Sequence, residues 1–375
     1  MGTSLAENEL HGNIVKEIKY NSFREFYIEN FLSDDSDNRR CPYFKWKNAY
    51  LYRGESNSEY KLVPSLLRNR SKKIPRNTFF KDEIETLLQF YRKCKFYGIQ
   101  ISPVKAFEKV TNQRHVTIEN FADQVLHFKW VAEDFNNLIC LAQHYGIQTR
   151  LLDWTKDLDV ALYFACSSVL RGNEWAPEQR YTIWALDQTA ISLNNYMTRM
   201  ENRLPFDSYP IEKWPIQFFF PMYYENPNIQ AQQGILLSWE IGGENKINNE
   251  KQFLNAIIDD TPFDVKLRQY GQTHNISKRI NQNTIVPTIL YKFTFPYSTI
   301  DQSLNYLKSR NVLAGKIFPG VNGIAQELQE EKIIEKYLGE NKIYFSVQKN
   351  RECKIVCVNR YCMNLLYAPY WGKQR

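Results

Sequence analysis

Between residues 141 and 166 the sequence LAQHYGIQTRLLDWTKDLDVALYFAC crowds groups that can do chemistry. The imidazole of His144 can act as a general base or orient a ligand, because its charge changes near neutral pH; at a helix end it can equally serve as a cap. Alternation through IQTRLLDWT puts Thr149, Leu151, Asp153 and Thr155 on one strand face and Arg150, Leu152 and Trp154 on the other. Asp153 and Thr155 would then point together beside the start of a helix, although DWTKDLD is also rich in helix-capping types. A second segment, LYRGESNSEYKLVPSLLR, sets Arg53 at a strand end between Tyr52 and Gly54. A guanidinium offers a planar fork to phosphate or carboxylate, and glycine lets the backbone approach closely; a surface arginine beside a turn has the same pattern. A third, NPNIQAQQGILLSWE, leads Gln232 and Gln233 into a strand. Neutral amides suit a base, an amide or a ribose hydroxyl, or simply a polar loop.

Such residues must be held by surrounding elements. KNAYLYRGES, IQTRLLDWT, RYTIWALD, WPIQFFFPMYY, GILLSWEI and TILYKFTFP have strand character. NSFREFYIENFLSD, FFKDEIETLLQFYRKC, ENFADQVLHFKWVAEDFNNLICLAQHYG, DVALYFACSSVLR, TIDQSLNYLKSRNV and GIAQELQEEKIIEKYL show helical spacing, with Gly146 placed to end the third. Strands and helices interleave, so the expected class is α+β with a mixed central sheet. Residues 1–20 form a lead-in and 21–328 the main domain. That domain carries a large helical insertion at about 79–140 and a polar, Asn-rich one at about 242–285. Residues 329–375 form a C-terminal extension ending in two late strands, KIYFSV and CKIVCV.

The 375 residues can bury a large core, and with 24 Tyr and 23 Phe that core is built on rings. A net charge of +7 without any long basic block is compatible with an anionic ligand such as a nucleotide, or with nucleic acid. Seven cysteines, an odd number with the first four scattered in apolar settings, imply a reduced, cytoplasmic protein. Cys353, Ile355 and Cys357 alternate as one strand face, and the close group with Cys362 has no CxxC pair or neighbouring histidine, so no metal is expected. The polar N-terminal stretch is unlike a secretory signal, and no long apolar run predicts a membrane span. Nuclease chemistry is disfavoured by the lack of a carboxylate cluster or HxH-type spacing.

Taken together, the segments resemble the FRG-domain family, named for a Phe/Tyr-Arg-Gly motif that is here Tyr52-Arg53-Gly54. The long signature resembles AQHYGIQTRLLDWTKDLDVALYFA, a third block IQAQQGI, and a closing block IFPGVNGIAQEL, so the resemblance runs from about Phe23 to Leu328. Asn228 stands where the third block often carries arginine, Leu236 where phenylalanine is usual, and Gly320 where an acidic residue usually follows the proline. FRG domains occur among bacterial toxins and antiphage defence genes. Their layout resembles that of ADP-ribosyltransferases, which implies an ADP-ribosyltransferase-like fold and an NAD-consuming glycosyl transfer to a macromolecule, protein or nucleic acid. A non-catalytic module that senses a nucleotide or nucleic acid through a partner is the alternative.

The resemblance assigns catalysis to Arg53, His144, Asp153 and Thr155. It assigns NAD binding to Tyr52, Gly54, Tyr145, Thr149, Arg150, Trp154, Gln232 and Gln233. Arg53 would hold the pyrophosphate, Thr155 the nicotinamide ribose, and Tyr145 or Trp154 would stack on a ring. Transferases of this layout carry a glutamate on the third strand to stabilise the oxocarbenium-like state. Gln232 and Gln233 occupy that region here, so Asp153, Glu55 or Glu240 would have to serve.

Overall fold

In the computed structural model, the described residues are 14–32, 50–68, 74–105, 107–108, 133–188, 191, 214–239, 257–273, 288–338, 343–344 and 356–357. Seven strands make one sheet: β1 (Val15–Lys19), β2 (Tyr50–Glu55), β3 (Leu152–Thr155), β4 (Arg180–Asp187), β5 (Ile216–Phe219), β6 (Gly234–Trp239) and β7 (Leu290–Pro296). Their order is β1-β7-β4-β2-β3-β6-β5. β1 runs parallel to β7, with Val15 opposite Leu290, and the other neighbours are antiparallel. The class is therefore α+β with a mixed sheet, as the interleaved pattern predicts.

The period of two along each strand sorts side chains between two cores. Tyr50 and Tyr52 on β2, Ile183 and Ala185 on β4, and Phe293 and Phe295 on β7 face one side. There they meet α1 (Phe23–Tyr27), α4 (Leu158–Leu170), α7 (Ile300–Ser309) and Ile334 of α9 (Val321–Leu338). Leu51, Trp184, Leu186, Leu152 and Trp154 face the other side, against α6 (Phe263–Thr273). The helical insertion supplies α2 (Arg76–Phe96) and α3 (Glu133–His144), which build a third cluster onto Leu151, Phe219 and Leu236. α5 (Pro227–Ala231) and α8 (Ala314–Ile317) are single turns near the end of the sheet where β6 begins.

Several elements differ from the sequence reading. Residues 15–19 of the lead-in are a sheet strand, not a preamble; its pattern of one buried residue in five gives little signal. The polar insertion contains α6, whose Phe263, Leu267 and Tyr270 bury one narrow stripe against Trp214 and Trp239. NPNIQA, expected as loop, folds as α5 because Asn226 caps it, its side chain accepting from Asn228 and Ile229 N–H. The late strands pair as a two-residue antiparallel ribbon, Ile343–Tyr344 with Val356–Cys357. Cys353, Ile355, Cys362 and Glu240 lie outside the described residues. Among the described residues no helix is long and apolar enough to cross a membrane.

Candidate functional site

β2 and β3 pair at a single position, Tyr52 opposite Thr155. Beyond it the two strands part, and the side chain of Arg53 fills the opening. Its Nη1 donates to the Asp153 carbonyl at 2.8 Å, supplying a bond that a continued ladder would have made. Its Nε donates to Glu55 Oε1 at 2.8 Å, and Nη2 stands 2.8 Å from the same oxygen. Arg53 is 14% and Glu55 15% exposed at the side chain. Burial alone would lower the arginine's pKa, but the charges of Glu55 and Asp153 outweigh it and hold the guanidinium firmly protonated. Three of its five N–H donors are engaged in this way, and the other two meet no acceptor among the described residues.

Around this opening lies a cleft of about 390 Å³, within the roughly 300–1,000 Å³ common for small-ligand sites. Its polar wall comes from β2 (Arg53, Glu55), β3 (Asp153, Thr155) and the end of α3 (Gln143, His144). Its apolar wall comes from Phe164 of α4, Phe318 just after α8, Ile229 of α5, and Ile235 and Leu236 of β6. Phe164 and Phe318 meet edge to face, with centroids 6.4 Å apart.

Local chain geometry aims these groups. α3 ends at Gly146, whose φ of 86° only glycine adopts cheaply. Gly146 N–H bonds the Gln143 carbonyl and Ile147 N–H bonds the Ala142 carbonyl, both at 2.9 Å, a pairing that reverses the chain toward β3. α4 starts at Asp157, whose carboxylate accepts from Asp159 N–H at 2.8 Å. Gly54 has the helix directly above it. A Cβ there would stand 2.6 Å from Ala165 N, 2.9 Å from Ala161 C and closer still to Ala161 O. Its missing side chain thus seats α4 on the sheet rather than opening the backbone to a ligand.

The predicted residues divide into two groups. Tyr52, Arg53, Gly54, His144, Asp153, Trp154, Thr155 and Gln232 border the cleft. His144 Nε2 lies 3.2 Å from Asn228 Nδ2; burial pulls the imidazole pKa down, with Asp153 opposing. The Asp153 carboxylate is 69% exposed, accepts from Gln143 Nε2 at 2.6 Å, and lies 3.9 Å from Arg53 Nη1. The Thr155 hydroxyl is committed internally: it donates to the Gln232 carbonyl at 2.7 Å and accepts from Asp157 N–H at 3.0 Å. The Gln232 side chain reaches the Ile317 carbonyl at 3.3 Å, tying the third block to the closing one.

The other expectations need correction. The Trp154 ring points through the sheet and packs edge to face on Phe263, so it cannot stack on a ligand in the cleft. Tyr145 is 63% exposed and outside the cleft lining. Thr149 is buried and bonded to Gln143 and Leu151. Arg150 sits on the opposite face, 3.5 Å from Glu83 and over the Phe80 ring at 4.9 Å. Burial pushes Glu83 up and pulls Arg150 down to about 9, and each one's charge on the other opposes the shift. Gln233, at a φ of 47°, turns out of the cleft toward Asp157. Glu55 comes to the cleft, whereas the described β6, GILLSW, carries no acidic residue.

Sequence reasoning passed over Cys140, Gln143, Phe164, Ser167 and Phe318 as lining residues. Gln143 and Phe164 lie inside the long signature, and Phe318 inside the closing block, so block membership was the available signal. The Cys140 thiol is pushed far above its ordinary range by burial, then by Asp153, which leaves it an inert wall. No curated protein and no solved structure matches the chain. A family model does match residues 48–174, from the edge of β2 to just past α4 and short of the third and closing blocks. That model is the FRG domain, and the stretch similar to it supplies Arg53, Glu55, Gln143, His144 and Asp153 to the cleft.

Proposed function

We propose that the cleft binds NAD and that the protein is an ADP-ribosyltransferase-like enzyme that passes ADP-ribose to a macromolecule or to water. The observation that carries this reading is a buried, permanently charged arginine, two of whose donors meet no described acceptor, beside a carboxylate and an apolar wall in one cleft. Arg53 takes a phosphate oxygen of the pyrophosphate. The Phe164 and Phe318 side supplies apolar surface for a planar ring. In the reaction the nicotinamide–ribose bond breaks, nicotinamide leaves with the bonding pair, and the ribose carbon gains cationic character before a nucleophile attacks it. Glu55 is the better placed carboxylate to stabilise that charge. It is mostly buried, and its Oε2 is not engaged by a described residue. A setting as a cytoplasmic bacterial toxin or antiphage effector rests on the family resemblance alone.

One feature favours the sensing alternative: Arg53 is already bonded to Glu55 and to the Asp153 carbonyl. Purified protein incubated with labelled NAD, with and without cell lysate, separates the two. Turnover by the wild type, lost at least about 100-fold in Arg53→Lys and Glu55→Gln while both variants melt cooperatively, supports the enzyme. Binding of ADP-ribose without turnover leaves the sensor. Neither binding nor turnover removes both.

A further inference from the structure

The Asp153 carboxylate poses a physical problem. It lies at the mouth of the cleft, 69% exposed, and its contact to Arg53 is a long 3.9 Å. A carboxylate this free rotates among staggered positions unless something holds it. Gln143 is in place to do so. Leu151 N–H, which can only donate, bonds Thr149 Oγ1 at 3.1 Å. The Thr149 hydroxyl proton then goes to the Gln143 carbonyl oxygen. That fixes which end of the amide faces which neighbour, and the NH2 end meets Asp153 Oδ1 at 2.6 Å. A carboxylate can only accept, so donors and acceptors agree at every step from the buried Leu151 backbone N–H to the exposed Asp153.

We propose that Gln143, its amide orientation set by Thr149, is the positioning residue that holds the Asp153 carboxylate in the cleft. The assignment of a reaction to that cleft rests on the NAD reading above; the positioning itself rests on the hydrogen-bond chain. Gln143 is the last residue but one of α3, a rigid element anchored by Leu138, Ile139 and Cys140 in the core. Thr149 is itself fixed from a second direction, its backbone N–H and carbonyl both reaching Ser65 Oγ at 3.3 Å. Asp153 is thereby tied to two helical segments and a loop rather than to its own strand alone.

The test pairs a spectroscopic readout with turnover. In protein labelled with nitrogen-15 at glutamine side chains, the Gln143 amide pair is assigned by its loss in Gln143→Glu. Asp153→Asn and Thr149→Val should each shift that pair and speed its proton exchange several-fold, whereas Thr149→Ser, which keeps the hydroxyl, should leave it near the wild-type position. Gln143→Ala should lower kcat for NAD about 100-fold, the scale of a misplacement near 1 Å, with little change in ADP-ribose affinity or Tm. Thr149→Ser should retain activity. A Gln143 signal indifferent to Asp153→Asn overturns the proposal, as does wild-type kcat in Gln143→Ala. If the signal responds as expected but wild-type protein turns over no NAD, the positioning role stands and the enzyme reading falls.

Discussion

Gly54→Ala is the sharpest perturbation the structure offers. The added methyl would meet helix backbone, 2.6 Å from Ala165 N and 2.9 Å from Ala161 C, where carbon contacts settle at about 3.5–4.0 Å. Neither atom can rotate aside, nor can the still closer Ala161 carbonyl oxygen, so α4 must retreat by at least about 1 Å. That helix buries Ala161, Leu162, Ala165, Cys166 and Val169 completely or nearly so. Overpacking typically costs about 1–3 kcal/mol, and a collision with backbone puts this case near the top, at about 3 kcal/mol. At about 2–4 °C per kcal/mol, Tm should fall by roughly 6–12 °C. Phe164 and Ser167 ride on the same helix and line the cleft, so ADP-ribose binding should weaken in parallel. Gly234→Ala is the internal comparison, since a Cβ there meets the Ile229 methyl at 3.1 Å, a side chain that can shift. Thermal denaturation of the two variants decides the matter. A Gly54→Ala protein melting within about 2 °C of wild type, or Gly234→Ala as the more damaging change, would refute the packing role.

Two further expectations concern charge. Glu83→Ala removes the carboxylate that faces the buried Arg150 guanidinium and should cost about 3–5 kcal/mol in urea denaturation, whereas the pair Glu83→Met with Arg150→Met should cost clearly less. His144 has a folded pKa depressed by burial, so the folded state binds fewer protons than the unfolded chain between the two values. Stability from this group is present above about pH 6.5 and is lost as pH falls through the folded value. Protonation also sets a ring N–H against Asn228 Nδ2. His144→Asn should flatten the acid-side decline of Tm, and an unchanged profile would show that His144 does not titrate as described.

The sequence disclosed the strands that bury both faces most clearly: RYTIWALD is β4 residue for residue, and Arg53 sits one place before Gly54 near the end of β2 as expected. Alternation also separated Asp153 and Thr155 from Leu152 and Trp154 correctly, because a one-residue slip would exchange the two cores. The same alternation rules out a stacking role for Trp154, a consequence that the resemblance obscured. Alternation likewise sets Arg150 on the face away from Asp153, where it meets Glu83 and Phe80, whereas Tyr145 lies at the chain reversal at Gly146, where periodicity says nothing about direction, and is exposed. For Gln143 block membership was the one signal, because its partners Thr149 and Asp153 become neighbours only after that reversal.

The pairing of β1 with β7 has a bearing on synthesis. Val15 meets Leu290, so the first strand leaves the ribosome 275 residues ahead of its partner. At about 5–20 residues per second that interval is roughly 15–55 s. Phe318, which completes the cleft wall, follows later still. Throughout that time the nascent chain holds Arg53, Asp153 and their helices without a closed sheet edge or a finished cleft. The cleft is therefore complete only once Phe318 has been made, and a ribosome stalled before about residue 320 would present a chain that lacks this wall.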